Sequence, residues 1–201
     1  METYNREEMY KRNVNLYMES NPNPNSLKFV ANYMLVEPGK SYDFPNAESA
    51  EGAPLAQALF DFDYVERVFY MSNFITVTKT AEVEWAAVQG EIKQFITDYL
   101  QQEKPLLQAE ETEDQVQDQT ESPSDGLEQK IIGVLEEYVK PAVEMDGGAI
   151  QFHSFQDGVV TVLLQGACSG CPSSTITLKS GIENLLKSMV PEVQEVVAEG
   201  V

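Results

Sequence analysis

The two cysteines of the chain, Cys168 and Cys171, stand three positions apart in the segment Gly166-Ala167-Cys168-Ser169-Gly170-Cys171-Pro172. Two thiolates at this spacing can bind one metal ion or act as a redox pair. Zinc sites and iron-sulfur clusters ordinarily need four protein ligands, and the chain has two cysteines. The spacing therefore predicts a metal centre shared by two copies of the chain, to which each copy contributes Cys168 and Cys171 across a two-fold axis.

The residues around the cysteines favour ligand chemistry over a place in a core. The pair lies between an apolar strand pattern and a helix pattern, so the start of the helix directs N–H groups at the thiols and favours the thiolate form. Gly166 and Gly170 leave room for a bulky group to approach the sulfurs, and Ser173 and Ser174 are predicted to cap the helix. Buried core cysteines are the competing explanation, but glycine-rich surroundings followed by Pro172 make poor core material.

Two other chemistries use the same pair of residues. A dithiol oxidoreductase also places a cysteine pair at the start of a helix. The sequence argues against it, because the roughly twelve residues after Met189 are too few for the remaining strands of a thioredoxin-like sheet. A structural zinc ion that bridges two chains would need the same four sulfurs, and the sequence leaves that alternative open.

The charge of the chain limits its partners. It has 33 acidic and 13 basic residues, a formal net charge of −20. Nucleic acids and anionic membranes attract basic surfaces, so neither is an expected partner, whereas basic protein surfaces are. The first residues, Met1 to Glu8, have no apolar stretch behind a basic start, and no stretch reaches the length of a membrane span. Two cysteines without a secretion signal indicate reduced thiols, and the predicted location is cytoplasmic.

An acidic segment divides the chain. Residues 101–127 contain eight acids, one lysine and no aromatic residue, so they cannot bury enough apolar surface to fold and are predicted to be a flexible linker. Residues 1–100 and 128–201 are then two small α+β domains.

The predicted elements alternate strands with helices in each domain. In the first domain they are a short helix over 7–17, strands over 27–31 and 33–36, a helix over 53–60, a hairpin over 65–78 and a helix over 82–100. In the second they are a helix that ends before Pro141, a hairpin over 149–164, a helix over 173–189 with Ile176 on its buried face, and a strand over 193–198. Turn-forming residues separate the elements, among them the run Asn21-Pro22-Asn23-Pro24-Asn25-Ser26.

Both domains resemble a known family, the NifU-like (Nfu) proteins. The second domain resembles their C-terminal domain through Asp146-Gly147-Gly148-Ala149-Ile150-Gln151-Phe152, Gly158-Val159-Val160-Thr161-Val162 and Gly166-Ala167-Cys168-Ser169-Gly170-Cys171-Pro172-Ser173-Ser174. The first resembles their N-terminal domain through Asn21-Pro22-Asn23-Pro24-Asn25-Ser26-Leu27-Lys28-Phe29 and Phe74-Ile75-Thr76-Val77-Thr78-Lys79. The resemblance covers essentially all of the chain outside the linker and the extreme ends.

The resemblance implies a carrier, not an enzyme. Such a carrier receives an assembled cluster, usually 4Fe-4S with 2Fe-2S as the alternative, from a donor scaffold and passes it to apo-proteins. The ligands of the family carry over to Cys168 and Cys171, with a second copy of the chain supplying the other two. The further cysteine-bearing domains of the nitrogen-fixation scaffolds have no counterpart in this sequence, which favours carriage over primary assembly. His153, the sole histidine, is predicted to be a surface or packing residue because four thiolates already complete the site.

Overall fold

The computed structural model describes residues 13–108, 126–169 and 172–200, with residues 172–175 described as backbone alone. The first domain is a five-stranded antiparallel sheet in the order β1-β2-β5-β4-β3 with helices on one face. Its strands are β1 (Leu16–Ser20), β2 (Ser26–Ala31), β3 (Ser41–Phe44), β4 (Val65–Met71) and β5 (Phe74–Lys79). Its helices are a 3-10 turn (Glu48–Ala50), α1 (Pro54–Phe60) and α2 (Trp85–Gln101).

Apolar side chains at alternate positions of the strands form the core of this domain. Phe29, Val68 and Ile75 lie on the face that meets the helices, and each is fully buried. In α2, Ile92 and Ile96 stand one turn apart and pack into the same core. The amphipathic helix predicted over 82–100 and the hairpin predicted over 65–78 are therefore confirmed as α2 and as the β4–β5 pair.

The second domain is a three-stranded sheet covered by helices. Its elements are α3 (Gly126–Val134), a π-helical turn (Leu135–Val139), α4 (Lys140–Met145), β6 (Gly148–Gln156), β7 (Val159–Gly166), α5 (Pro172–Met189) and β8 (Glu195–Gly200). The central strand β7 pairs antiparallel with β6 and parallel with β8. Asp157 and Gly158 turn the β6–β7 hairpin with φ of 50° and 85°, as the Asp-Gly pair predicts. The α+β class predicted from the sequence is confirmed.

Three local predictions for the elements are wrong. The helix predicted over 7–17 lies outside the described residues up to residue 12, and at its end Leu16 and Tyr17 belong to β1 instead, because β1 pairs with β2, a partner that no local pattern shows. Residues 33–36 form no strand, since the amides of Leu35 and Val36 bond to the carbonyl of Ser72 in the β4–β5 turn. Pro141 does not stop the first helix of the second domain, because it occupies the first turn of α4, where no amide hydrogen is needed.

The segment predicted to be a linker begins on the first domain. Leu106 and Leu107 pack against the first core, and the hydroxyl of Tyr99 donates to the carbonyl of Pro105 at 2.9 Å. Residues 109–125 lie outside the described residues, so the linker there stays a prediction. Within the described part of the chain, no helix has the length and apolar character that a membrane span needs.

Candidate functional site

Cys168 lies in the turn that follows the central strand of the second domain. β7 ends at Gly166, whose φ of 63° suits glycine, and the amide of Ser169 bonds back to the carbonyl of Gly166 at 3.1 Å. The amide of Ala167 bonds to the carbonyl of Gly147 at 3.2 Å, which joins this turn to the start of β6. Cys168 is therefore held by backbone contacts on both sides, and α5 begins four residues later at Pro172.

The side chain of Cys168 faces the interior of its own domain. It is 6% exposed and belongs to the core formed by residues such as Val143, Ile182 and Leu186. A Cβ at Gly148 would lie 2.9 Å from the sulfur of Cys168 and 2.6 Å from the carbonyl oxygen of Gln165. Glycine at position 148 is thus what lets the sulfur pack against β6.

The other predicted ligand, Cys171, lies outside the described residues, as does Gly170. The structure therefore does not test whether the two sulfurs come together, and the ligand assignment stays a prediction. Among the described residues, no group of three or more His, Cys, Asp or Glu side chains could hold a metal ion. His153 is exposed on β6 at the irregularity between Phe152 and Ser154, five residues along the strand from Gly148.

Cys168 also lines a cavity of about 360 Å³ between the two domains. Pro22 and Asn23 contribute from the first domain, and Val143, Asp146 and Leu178 from the second. Cys168 therefore borders both the core of the second domain and this cavity.

Polar side chains of the first domain reach the backbone around this turn. The amide Nδ2 of Asn23 donates to the carbonyl of Ala167 at 3.0 Å, and the hydroxyl of Thr76 donates to the carbonyl of Gly147 at 2.8 Å; both bonds are buried. The ammonium of Lys28 lies 3.4 and 3.2 Å from the carbonyls of Glu144 and Met145, the last residues of α4, where a positive charge suits the helix end.

A buried ion pair lies beside the end of β7. Nη1 of Arg67 is 2.6 Å from Oδ2 of Asp43, and the side chains are 14% and 4% exposed. Burial raises the pKa of Asp43 to about 6, while the charge of Arg67 and the backbone N–H of Gly166 oppose part of that rise. The hydroxyl of Ser41, on the same strand, donates to Oε1 of Gln165 at 3.3 Å.

Several other aromatic, charged and apolar side chains have places that the packing explains. Tyr70 is fully buried in the first core, and Trp85 packs edge-on against Phe29 with ring centroids 6.3 Å apart. Lys179 lies 3.5 Å from Glu195 in an exposed ion pair. Ile176 was predicted on the buried face of α5, yet it is 69% exposed, because the face that meets the core runs through Leu178 and Ile182 and positions six residues apart do not share a helix face.

Comparison with known proteins covers both domains. A family model described as "Scaffold protein Nfu/NifU N terminal" matches residues 16–103, and one described as "NifU-like domain" matches residues 131–197. The chain belongs to the NifU-like (Nfu) family. The family assignment made from the sequence motifs is confirmed.

Named relatives of this Nfu chain are similar over most of its length. "NifU-like protein 4, mitochondrial" from Arabidopsis thaliana is 41% identical over 194 residues, which cover 94% of this chain and 67% of that protein. "NFU1 iron-sulfur cluster scaffold homolog, mitochondrial" from Drosophila persimilis is 37% identical over 186 residues, 92% of this chain and 65% of that protein. A solution NMR structure of a NifU-like protein from Saccharomyces cerevisiae is 27% identical, covers 48% of this chain and 87% of that one, and has a TM-score of 0.43. The chain spans about two thirds of the length of the relatives that it matches.

The cytoplasmic location predicted from the sequence is wrong by this comparison. Relatives from Arabidopsis thaliana and Drosophila persimilis are named as mitochondrial proteins. The prediction rested on the composition of the first eight residues and on the small number of cysteines. Neither feature separates one reducing compartment from another.

Sequence reasoning missed the contacts of Asn23, Lys28 and Thr76 with the second domain of this Nfu chain. Asn23 was interpreted as a turn former, which it also is. One signal was present in the sequence: Phe69, Met71 and Phe74 point away from the first core, and apolar residues on both faces of a strand indicate a sheet covered on both sides.

Proposed function

We propose that the chain is an iron-sulfur cluster carrier in which Cys168 and Cys171 of two chains together hold one 4Fe-4S cluster, with 2Fe-2S as the alternative cargo. The observation that carries the proposal is the match of residues 131–197 to the NifU-like domain, because both cysteines lie inside that match. Relatives named as iron-sulfur cluster scaffolds support the same cargo. The position of Cys168, in a turn before a long helix, supports its role as a thiolate ligand.

Transfer requires ligand exchange without a change in oxidation state. A deprotonated thiolate of the recipient forms a bond to an iron atom, the bond from that iron to a cysteine of the carrier breaks, and the released thiolate takes up a proton. Four such exchanges move the whole cluster. A cluster held by two ligands from each chain loses half its ligands when the chains separate, so sharing between chains makes release easy.

The chain acts as a carrier of cargo, and not as an enzyme, under this proposal. Its partners are a second copy of itself, a donor scaffold and apo iron-sulfur proteins. The net charge of −20 favours recipients with basic surfaces around their cysteine ligands. A nucleic acid or an anionic membrane surface does not suit that charge.

Native mass spectrometry after anaerobic reconstitution with iron and sulfide tests the proposal. We expect two chains with one 4Fe-4S unit. Cys168→Ser and Cys171→Ser should each lose the cluster while keeping the far-ultraviolet circular dichroism of the wild type. Ser180→Ala, an exposed position on α5, is the matched control and should load fully.

Three outcomes would contradict the proposal. Full iron content in either cysteine variant would remove the ligand assignment. A dimer that holds zinc alone after reconstitution would favour the structural zinc site. A monomer that binds no metal but reduces disulfides with turnover would favour the dithiol oxidoreductase. Transfer itself is measured as recovery of activity by an apo 4Fe-4S enzyme mixed with the loaded chain.

A further inference from the structure

The first domain covers the second with the face of its sheet that does not meet α1 and α2. We call this the docking face, formed by Lys28, Val30, Phe69, Met71, Phe74 and Thr76. Phe69, Met71 and Phe74 form one apolar cluster with Ala149 of β6. Because the docking face is covered, β2 and β5 are buried on both sides. Antiparallel sheets commonly leave one face exposed to solvent instead.

Two glycines show how closely the domains approach. A Cβ at Gly147 would lie 2.8 Å from the hydroxyl of Thr76, and a Cβ at Gly166 would lie 2.9 Å from the ring of Phe69. Both glycines also have positive φ, 80° and 63°. We call residues 166–169 the cysteine turn. Gly166 begins this turn, and the carbonyl of Gly147 accepts a hydrogen bond from its Ala167, so both glycines join the turn to the docking face.

The contact nearest to the predicted ligand comes from the Asn-Pro-Asn-Pro-Asn segment. Oδ1 of Asn21 accepts from the amide of Asn23, and Oδ1 of Asn23 accepts from the amide of Asn25, so two successive side-chain turns shape the segment. This arrangement directs Nδ2 of Asn23 at the carbonyl of Ala167, one peptide bond before Cys168. Asn23 is 4% exposed, and its side chain uses both its donor and its acceptor.

The conformation held by this contact places the sulfur of Cys168 inward. The side chain is buried in the core of the second domain, against Gly148. A ligand shared with a second chain must present its sulfur to that chain. The docked arrangement therefore does not present the sulfur of Cys168 to a second chain.

We propose that the first domain is a cap for the turn that holds Cys168, and that Asn23 is a positioning residue that keeps Cys168 turned inward until the cap is released for loading. The partner of the docking face is thus the second domain of the same chain. The loading step rests on the proposed function, whereas the inward state of Cys168 does not.

The substitution Asn23→Asp separates the two roles of this side chain. The carboxylate keeps the oxygen that accepts from the amide of Asn25, but it replaces the donor with an oxygen that faces the carbonyl of Ala167. Loss of a buried hydrogen-bond donor shifts an equilibrium by about 10- to 100-fold. The control Asn25→Asp makes the same chemical change two residues away, where the side chain meets Lys79 of its own domain at 3.4 Å.

The measurement is the rate of alkylation of Cys168 by N-ethylmaleimide in the full, reduced, cluster-free chain, read by peptide mass spectrometry that separates Cys168 from Cys171. We expect Asn23→Asp to raise the rate at Cys168 by about 10- to 100-fold, because opening precedes reaction. Asn25→Asp should stay within about two-fold of the wild type. An added negative charge raises the pKa of a nearby thiol and slows alkylation, so faster reaction cannot come from charge alone.

A second pair of variants tests the cap at a different contact. Thr76→Val removes the donor to the carbonyl of Gly147 with little change of shape and should also speed alkylation of Cys168. Thr78→Val, on the same side of β5, loses a bond to Ser26 within the first domain and should not. Circular dichroism of each variant separates release of the cap from loss of the fold.

Two results of the alkylation assay would overturn the cap. One is an unchanged rate at Cys168 in both Asn23→Asp and Thr76→Val. The other is an equal acceleration in the control variants. Anaerobic loading with iron and sulfide adds the functional arm, in which Asn23→Asp should load faster than the wild type; faster alkylation with unchanged loading would also overturn the proposal. If no variant binds a cluster, the carrier function fails, while alkylation still decides the inward state of Cys168.

Discussion

Asp43 should make the stability of the first domain depend on pH in a direction opposite to that of most carboxylates. Its side chain is 4% exposed beside Arg67 and the end of β7, and burial raises its pKa from 3.8 to about 6. A carboxyl whose pKa is raised on folding binds its proton more tightly in the folded state. Its contribution therefore favours the folded state below pH 3.8 and becomes unfavourable as the pH rises through 6.

The size of the effect follows from the shift. A rise of about two pKa units corresponds to about 3 kcal/mol at full ionisation. The sequence pI is about 4.2, and proteins are least soluble where their net charge is near zero, so the useful window is pH 5 to 7.5. Across that window the linkage relation leaves about 1 kcal/mol of the change.

The assay is urea denaturation of the wild type and of Asp43→Asn at several pH values, followed by the fluorescence of Trp85. This residue is the sole tryptophan and lies in the first domain, so the signal reports the domain that carries Asp43. We expect the free energy of unfolding of the wild type, measured relative to Asp43→Asn, to fall by about 1 kcal/mol from pH 5 to pH 7.5. A difference that stays constant over this range, or that grows with pH, would refute the reasoning from burial.

Two glycine substitutions give further predictions. Gly166→Ala should lower the free energy of unfolding by about 2 to 4 kcal/mol, from a left-handed backbone and from a Cβ 2.9 Å from the ring of Phe69. Urea denaturation measures this loss of stability. If Gly166→Ala destabilises a Phe69→Leu variant as much as it destabilises the wild type, the ring of Phe69 is not the obstacle. Gly148→Ala should displace the sulfur of Cys168, lower the free energy of unfolding by about 1 to 3 kcal/mol and speed alkylation of that thiol. A variant with the stability and the alkylation rate of the wild type would contradict the packing of this sulfur against β6.

Local sequence signals were sufficient for the elements whose determinants are local. The Asp157-Gly158 turn, the helical spacing of Ile92 and Ile96 and the proline at the start of α1 each depend on residues within one element. The strand β1 depends on a partner instead. It is exposed at four of its five residues and is stabilised by pairing with β2, so its own composition does not reveal it.

Spacing and chemistry point to Cys168 and Cys171 as ligands, and that assignment stays a prediction. What the sequence does not show is the environment of the described cysteine, Cys168. The inward packing of Cys168 depends on Gly148, and the contact at Ala167 depends on a residue 144 positions earlier in the chain. A contact between residues so far apart in the chain produces no periodic pattern in the sequence, because it depends on how the surfaces of two folded domains fit together.

That separation also has a consequence for synthesis. Residues 13–108 contain the whole first core, and domains that are made first generally fold first. When Cys168 leaves the ribosome, the surface that will receive its turn is already complete. Cys168 is therefore made after the docking face and meets a finished partner on its own chain, which shortens the time that its thiol is exposed to oxidants and stray metal ions in a newly made protein.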